Sequence, residues 1–275
     1  LRGAYGTLGW GRLWIGFFRS DNSPEKRHDN TVQIRGETGG NRDTRAGLAL
    51  LLKVFDVLLT DIPLDTDMIL YTNREYSSPY ALSVYAALCE KGLPFELRTI
   101  DLSAGENRGQ AYRQLSLTSR IPTLAVDDFS LSESSAIIEY LEDAYTPPEF
   151  PAVFPEDIRL RARARQLQAW VRSDLAALRA ERPTSVIYGL KRPQALSAAA
   201  QQAADKLLAV ADTLIDENSD HLFGEWSIAD VDFSVMLSRL CANGDPVPRK
   251  VQRYVEHQSA RPCVQSWWAF ARQQS

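Results

Sequence analysis

Three short runs carry the groups that could do chemistry. Tyr76-Ser77-Ser78-Pro79 puts hydroxyls directly ahead of a proline that opens a helix. A hydroxyl at that point has two uses: it caps the helix's own first amides, or it stabilises an anion brought to the positive end of the helix dipole. Ile121-Pro122 opens a strand, and proline has no N–H to give to a ladder. Such a strand starts at a sheet edge, or where the preceding peptide faces something other than a neighbouring strand. The amide and carbonyl of Ile121 are then free to pair with a bound peptide. Finally, Ser132-Glu133-Ser134 precedes a helix predicted over residues 135–145, whose first amides make an anion site. One run suits a peptide backbone and another suits a carboxylate.

The elements around these runs follow from periodicity and breakers. A short buried strand is predicted over 68–71. A helix over 79–91 carries Leu82, Tyr85, Ala86 and Leu88 on one face, and Gly92 with Pro94 stops it. Residues 95–100 alternate as a strand, and 107–117 read as a weak helix or irregular loop. Strands over 122–126 and 129–131 are joined by Asp127-Asp128, and the helix to Tyr145 follows. Strand, helix, strand, helix, strand, strand, helix is a thioredoxin-like layout. Pro147, Pro148 and Pro151 mark a linker. Beyond it the pattern is helical throughout, over 156–180, 197–217, 228–242, 248–257 and 262–273. The breaks fall at Pro183, Pro193, Gly224 and Gly244-Asp245-Pro246. Ser227 with Asp230 has the spacing of a capping box and is assigned to stability. The expected organisation is an N-terminal extension over 1–67, disordered or not native, an α+β thioredoxin-like domain over 68–146 and an all-α domain over 155–275.

Composition bounds the function. The chain has 275 residues, 44% of them hydrophobic and 24% charged, with a formal charge of −4. That is room for two ordinary domains, and the interspersed charge favours neither nucleic acid nor a membrane surface. Cys89, Cys241 and Cys263 are odd in number and widely spaced, which argues against a disulfide framework or a zinc site and fits a reducing cytoplasm. Cys89 falls near the end of its helix, not at the start where a thiolate is stabilised, so disulfide exchange through a protein cysteine is disfavoured. His28, His221 and His257 lie away from the three runs, and no metal site is expected. Residues 48–59 are apolar but interrupted by Lys53 and Asp56, too short and too charged to span a bilayer.

The run IPTL…LSESSAIIEYLED resembles the glutathione-binding half of the glutathione transferases, and MILYTNREYSSPYALSVYAALCEKG resembles that family's first strand and first helix. RARARQLQAWVRSDL, FGEWSIADVDFSVMLSRL and RPCVQSWWAFARQ resemble its helical domain; RSDL…ERPT and LFGEWSIADVD are most similar to the bacterial YfcF-type branch. The resemblance spans residues 68–275. It implies a glutathione transferase fold and a cytoplasmic homodimer, with glutathione as co-substrate and no other cofactor. The implied activity is conjugation of an electrophile or reduction of a hydroperoxide, in detoxification and oxidative stress. It also implies site roles: Ser78 facing the glutathione sulfur, Ile121 pairing with the cysteinyl backbone, and Glu133 with Ser134 holding the γ-glutamyl end.

Each role has a plainer counterpart. Ser78 is also a good N-cap, and Glu133 with Ser134 would suit the start of any helix. Ser77 and Tyr76 compete with Ser78, while Tyr80 reads as packing. Trp170, Arg172, Asp174 and Tyr188 fall where a second substrate would lie, but all four have structural readings: Trp170 as core, and Arg172 with Asp174 as an interdomain polar contact. A zeta-type glutathione-dependent isomerase is an alternative carried by SSPY, although Pro79 and the lack of a downstream Arg-Val-Arg depart from that pattern. A non-catalytic docking module with the same fold is the alternative from another class.

Overall fold

The computed structural model describes residues 67–273, and ahead of them only Gly3–Ala4, paired antiparallel with Ile15–Gly16. The reading of residues 1–67 as an extension otherwise lies outside the described residues. Met68–Ser275 form one compact unit, distinct from Leu1–Asp67.

The first half of that unit is thioredoxin-like. It contains β1 (Met68–Asn73), α1 (Pro79–Glu90), β2 (Glu96–Ile100), α2 (Gln110–Leu115), β3 (Thr123–Val126), β4 (Phe129–Ser132) and α3 (Ser134–Ala144). The weak helix expected over 107–117 is a 3-10 turn, Glu106–Arg108, followed by the short α2. Strand order is β2-β1-β3-β4, with β1 parallel to β2 and antiparallel to β3, and β3 antiparallel to β4. All four residues of β3 are buried, as a central strand covered on both faces requires. Thr123 is its first paired residue, opposite both Tyr71 and Ser132. Pro122 therefore stands just outside the ladder of a central strand, and of the two options open to a strand-leading proline the edge position is not the one used.

The second half is all helical: α4 (Ile158–Ser173), α5 (Ala176–Glu181), α6 (Ala198–Leu214), α7 (Ile228–Asn243), α8 (Arg249–Ser259) and α9 (Pro262–Gln273), with a 3-10 turn at Thr184–Tyr188. The single helix expected over 156–180 is in fact two. The chain leaves the helix at Leu175, whose φ of 62° is left-handed, and the Asp174 carboxylate accepts the Leu175 amide at 2.7 Å. A left-handed residue with a side chain costs about 1–2 kcal/mol. Burying Leu175 to 1% exposure returns a similar amount.

Helix α7 is buried almost all round because it lies among α1, α4 and α8, so DVDFSVMLSRL shows little amphipathic periodicity. Its start is fixed by the capping box: Ser227 N–H donates to Asp230 at 2.9 Å, and the Tyr254 hydroxyl donates to the same carboxylate at 3.0 Å. Helix α1 is covered twice, by β1 and α3 on one side and by α7 and α9 on the other, which buries residues 81–88. The linker is tied down from α1 by Lys91. Its ammonium, fully buried, pairs with Glu142 at 2.7 Å and donates to the carbonyls of Tyr145 and Pro151 at 2.8 and 3.0 Å. Glu142 in turn accepts the Val153 amide at 3.1 Å. Among the described residues no helix is long and apolar enough to cross a membrane.

Candidate active site

The strand register brings the three runs together. β1 leaves the sheet at Asn73; β3 enters it at Thr123, opposite Tyr71; β4 leaves it at Ser132, opposite Thr123. The segments holding Ser78, Ile121 and Glu133 therefore all emerge at one end of the sheet, next to the N-termini of α1 and α3. Sequence reading alone could not supply this, because it depends on the pairing of distant strands.

Ser78 is the N-cap of α1, and its Oγ accepts the Ala81 amide at 3.2 Å. Accepting uses a lone pair and leaves the hydroxyl proton, for which the described residues supply no acceptor. A buried side chain that the sequence reading passed over, Asn73, shapes the turn before it. The Asn73 carbonyl oxygen accepts the Ser78 amide at 3.1 Å, while its amide nitrogen donates to Ser77 Oγ and to Glu75, each at 2.8 Å. Asn73 thereby fixes both serines, with Ser77 held against it and Ser78 on the helix terminus. An asparagine at a strand end ahead of Ser-Ser-Pro is the signal that could have pointed to it.

Tyr76 goes elsewhere. It takes a φ of 50°, and its ring lies against Trp267 and Phe270 at centroid distances of 5.7 and 5.3 Å. Burial raises its phenol above the ordinary range, and its ring is committed to this aromatic packing. Tyr80, expected as packing, lines the cleft between the two halves and lies beneath the Arg172 guanidinium at 5.9 Å.

Ile121 precedes a cis peptide bond to Pro122, and its backbone forms no hydrogen bond among the described residues. The peptide before it is firmly held. The Arg120 carbonyl accepts from the hydroxyls of Tyr112, Ser116 and Thr123 at 3.0, 3.1 and 2.9 Å. Three buried hydroxyls on one carbonyl fix the orientation in which Ile121 presents its amide and carbonyl.

Helix α3 begins at Ser134, one residue before the predicted start, so Glu133 is its N-cap. Glu133 does not act as a capping side chain, however: it makes no cap hydrogen bond, is exposed, and has φ 76° and ψ 113°. That backbone region is sparsely populated for a residue with a side chain. Ser134 is buried, and its hydroxyl accepts from Arg172 Nε at 3.3 Å.

Arg172 forms the interdomain polar contact, but without Asp174. It pairs with Asp232 at 3.0 Å and reaches Ser83 at 3.4 Å. Asp174 belongs to a different cluster: it accepts Trp170 Nε1 at 2.9 Å and pairs with Lys206. Tyr188 donates to the Tyr76 carbonyl at 3.2 Å. Of the four residues considered for a second substrate, only Arg172 lines the cleft; its other walls are Pro79, Tyr80, Val171, Arg179, Asp232, Val235, Met236 and Arg239. Cys89 is partly buried and packs against the core, and burial pushes its thiol up to about 12.

Comparison with known proteins agrees with this layout. Residues 77–144 match the family model for the glutathione S-transferase N-terminal domain, and residues 157–273 match the model for the C-terminal domain. A Burkholderia glutathione transferase homologue, solved with bound glutathione, is 47% identical, with a TM-score of 0.63 over 76% of this chain and 100% of that one. Maleylacetoacetate isomerase of Methylobacterium extorquens, solved with malonate and glutathione, is 26% identical with a TM-score of 0.57, over 74% of this chain and 97% of the other. Human glutathione S-transferase theta-2 is 38% identical over 88 residues, which is 32% of this chain and only 35% of the human protein.

Proposed function

The chain belongs to the glutathione transferase family, and from that premise we propose that it binds reduced glutathione, lowers the pKa of its thiol and directs the thiolate at an electrophile. The observation that carries this reading is the state of Ser78: a cap whose hydroxyl proton has no acceptor among the described residues, at the N-terminus of a buried helix. A free thiol titrates near 8.5, and lowering that by two units takes roughly 2.7 kcal/mol. A charge-assisted hydrogen bond from Ser78 and the positive end of the α1 dipole are together of that size. Ile121 would pair with the cysteinyl backbone. Glu133 and the first amides of α3 would hold the γ-glutamyl ammonium and carboxylate, with the Ser134 hydroxyl beside them. In the transfer step the sulfur forms a bond to the electrophilic carbon, the leaving group departs with the bonding pair, and the thiol proton has already passed to solvent.

Hydroperoxide reduction through the same thiolate, a cytoplasmic setting and a homodimer belong to the same proposal. A glutathione-dependent isomerase is the second reading, favoured by the likeness to the Methylobacterium isomerase. The test is calorimetric titration of reduced glutathione into the full chain beside Glu133→Gln, with conjugation of a chromogenic aryl halide followed in parallel. Saturable one-per-chain binding, weakened about 10- to 100-fold in Glu133→Gln by loss of a charge-assisted contact, is expected. A folded protein that does not bind glutathione would overturn the reading.

A further inference from the structure

The cleft between the two halves holds more positive charge than its own carboxylate can match. Three arginines line it, Arg172, Arg179 and Arg239, against the single carboxylate of Asp232, which is already paired with Arg172 at 3.0 Å and accepts from Gln168 at 2.6 Å. Among the described residues Arg179 donates to backbone carbonyls alone, those of Val171 and Asp174.

Arg239 is the stronger anomaly. It is 3% exposed, in the middle of the apolar helix α7. Its two terminal nitrogens each donate once, Nη1 to the Arg182 carbonyl at 2.9 Å and Nη2 to Thr184 Oγ1 at 3.0 Å. Its Nε–H is buried without a partner, and among the described residues it has no carboxylate partner. A buried guanidinium without a counter-charge is costly to keep, and an anion in the cleft beside it would supply one. Burial lowers its pKa to about 10, opposed by the Tyr80 and Tyr188 phenols and assisted by the Arg179 charge, so it still carries its proton at neutral pH.

We propose that this cleft selects electrophiles bearing a carboxylate, which Arg239 and Arg179 bind while the apolar remainder lies along Tyr80, Val235 and Met236. The inference rests on the thiol-activation reading for what happens next, but anion binding can be measured without it. The enclosed space is small, about 20 Å³, so it takes the carboxylate end and leaves the rest of the electrophile at its mouth. An arginine within VMLSRLC was the sequence signal, a charged residue in an otherwise apolar helix.

The probes are 4-methylbenzoate and its neutral methyl ester, titrated calorimetrically into the full chain with and without saturating glutathione. The expected result is one benzoate per chain, bound at least 10-fold more tightly than the ester. Arg239→Met should lose about 10- to 100-fold for the acid and nothing for the ester, and Arg239→Lys should keep most of the affinity. If Arg239→Met does not fold, Arg179→Met decides, with a several-fold loss confined to the acid. Equal affinity for acid and ester, absence of benzoate binding, or variants that bind the acid as the parent does would each overturn the proposal. Glutathione binding in the same samples tells separately whether the thiol-activation reading stands.

Discussion

Replacing Ser78 by alanine separates two roles that a helix-capping serine can combine. The Oγ acceptor for the Ala81 amide, at 3.2 Å, is lost, and a Ser-to-Ala N-cap change costs about 1 kcal/mol. In a domain of this size that lowers the melting temperature by about 2–4 °C. The hydroxyl donor is lost as well. A hydrogen bond to a charged group contributes about 1.5–3 kcal/mol, so at 1.36 kcal/mol per unit the thiol of bound glutathione should titrate about one to two units higher. The helix dipole remains, because the α1 backbone is unchanged. Ser78→Gly refines the comparison, since glycine at an N-cap costs only a few tenths of a kcal/mol yet removes the donor entirely. Ser78→Thr keeps both groups. The assay is the ultraviolet absorbance of the bound thiolate followed against pH at saturating glutathione, with thermal unfolding alongside. If Ser78→Ala lowers stability while the thiolate titration stays where it was, Ser78 is a cap and nothing more. If Ser77→Ala moves the titration instead, the activating hydroxyl is its neighbour.

Two further outcomes concern the scaffold. Lys91→Met leaves Glu142 buried without its counter-charge and should destabilise the protein by about 3–5 kcal/mol, read from urea unfolding. The double variant with Glu142→Leu should recover much of that loss, and a double variant as unstable as the single would contradict the ion-pair account. Asp174 sits at about 2, held below the ordinary carboxylate range first by the Lys206 hydrogen bond and then by the Leu175 amide and Trp170. Between about pH 4 and 2 the unfolded chain therefore binds more protons at this residue, so its contribution is complete above the unfolded value and is lost as pH falls through 2. Asp174→Asn should make the acid limb of the stability profile shallower, whereas an unchanged limb would mean that solvent screens the contact.

The local grammar of the chain was readable from its residues alone. A serine ahead of a helix-opening proline, a proline leading a strand, Gly92 and Pro94 as a stop, and Ser227 with Asp230 as a capping box all act within a few positions of themselves. Their geometry therefore follows from sequence neighbours. The element order of the first half was legible for the same reason, as was the placing of Cys89 near the end of α1 and not at its start. The break at Leu175 was not, because nothing local requires a leucine to turn left-handed; its burial against the rest of the core makes that conformation affordable. Closeness in sequence groups Arg172 with Asp174 in one interdomain contact, whereas α7 places Asp232 beside Arg172 and α6 places Lys206 beside Asp174. The Asn73 turn, the three hydroxyls on Arg120 and an Arg239 without a carboxylate among the described residues likewise needed the fold. What the sequence determined by itself was which groups stand at which ends of which elements, since that is set by backbone sterics and capping. What only the tertiary structure decided was which of those groups meet and which buried polar atoms are left without a partner, because strand register and helix packing join residues far apart in the chain.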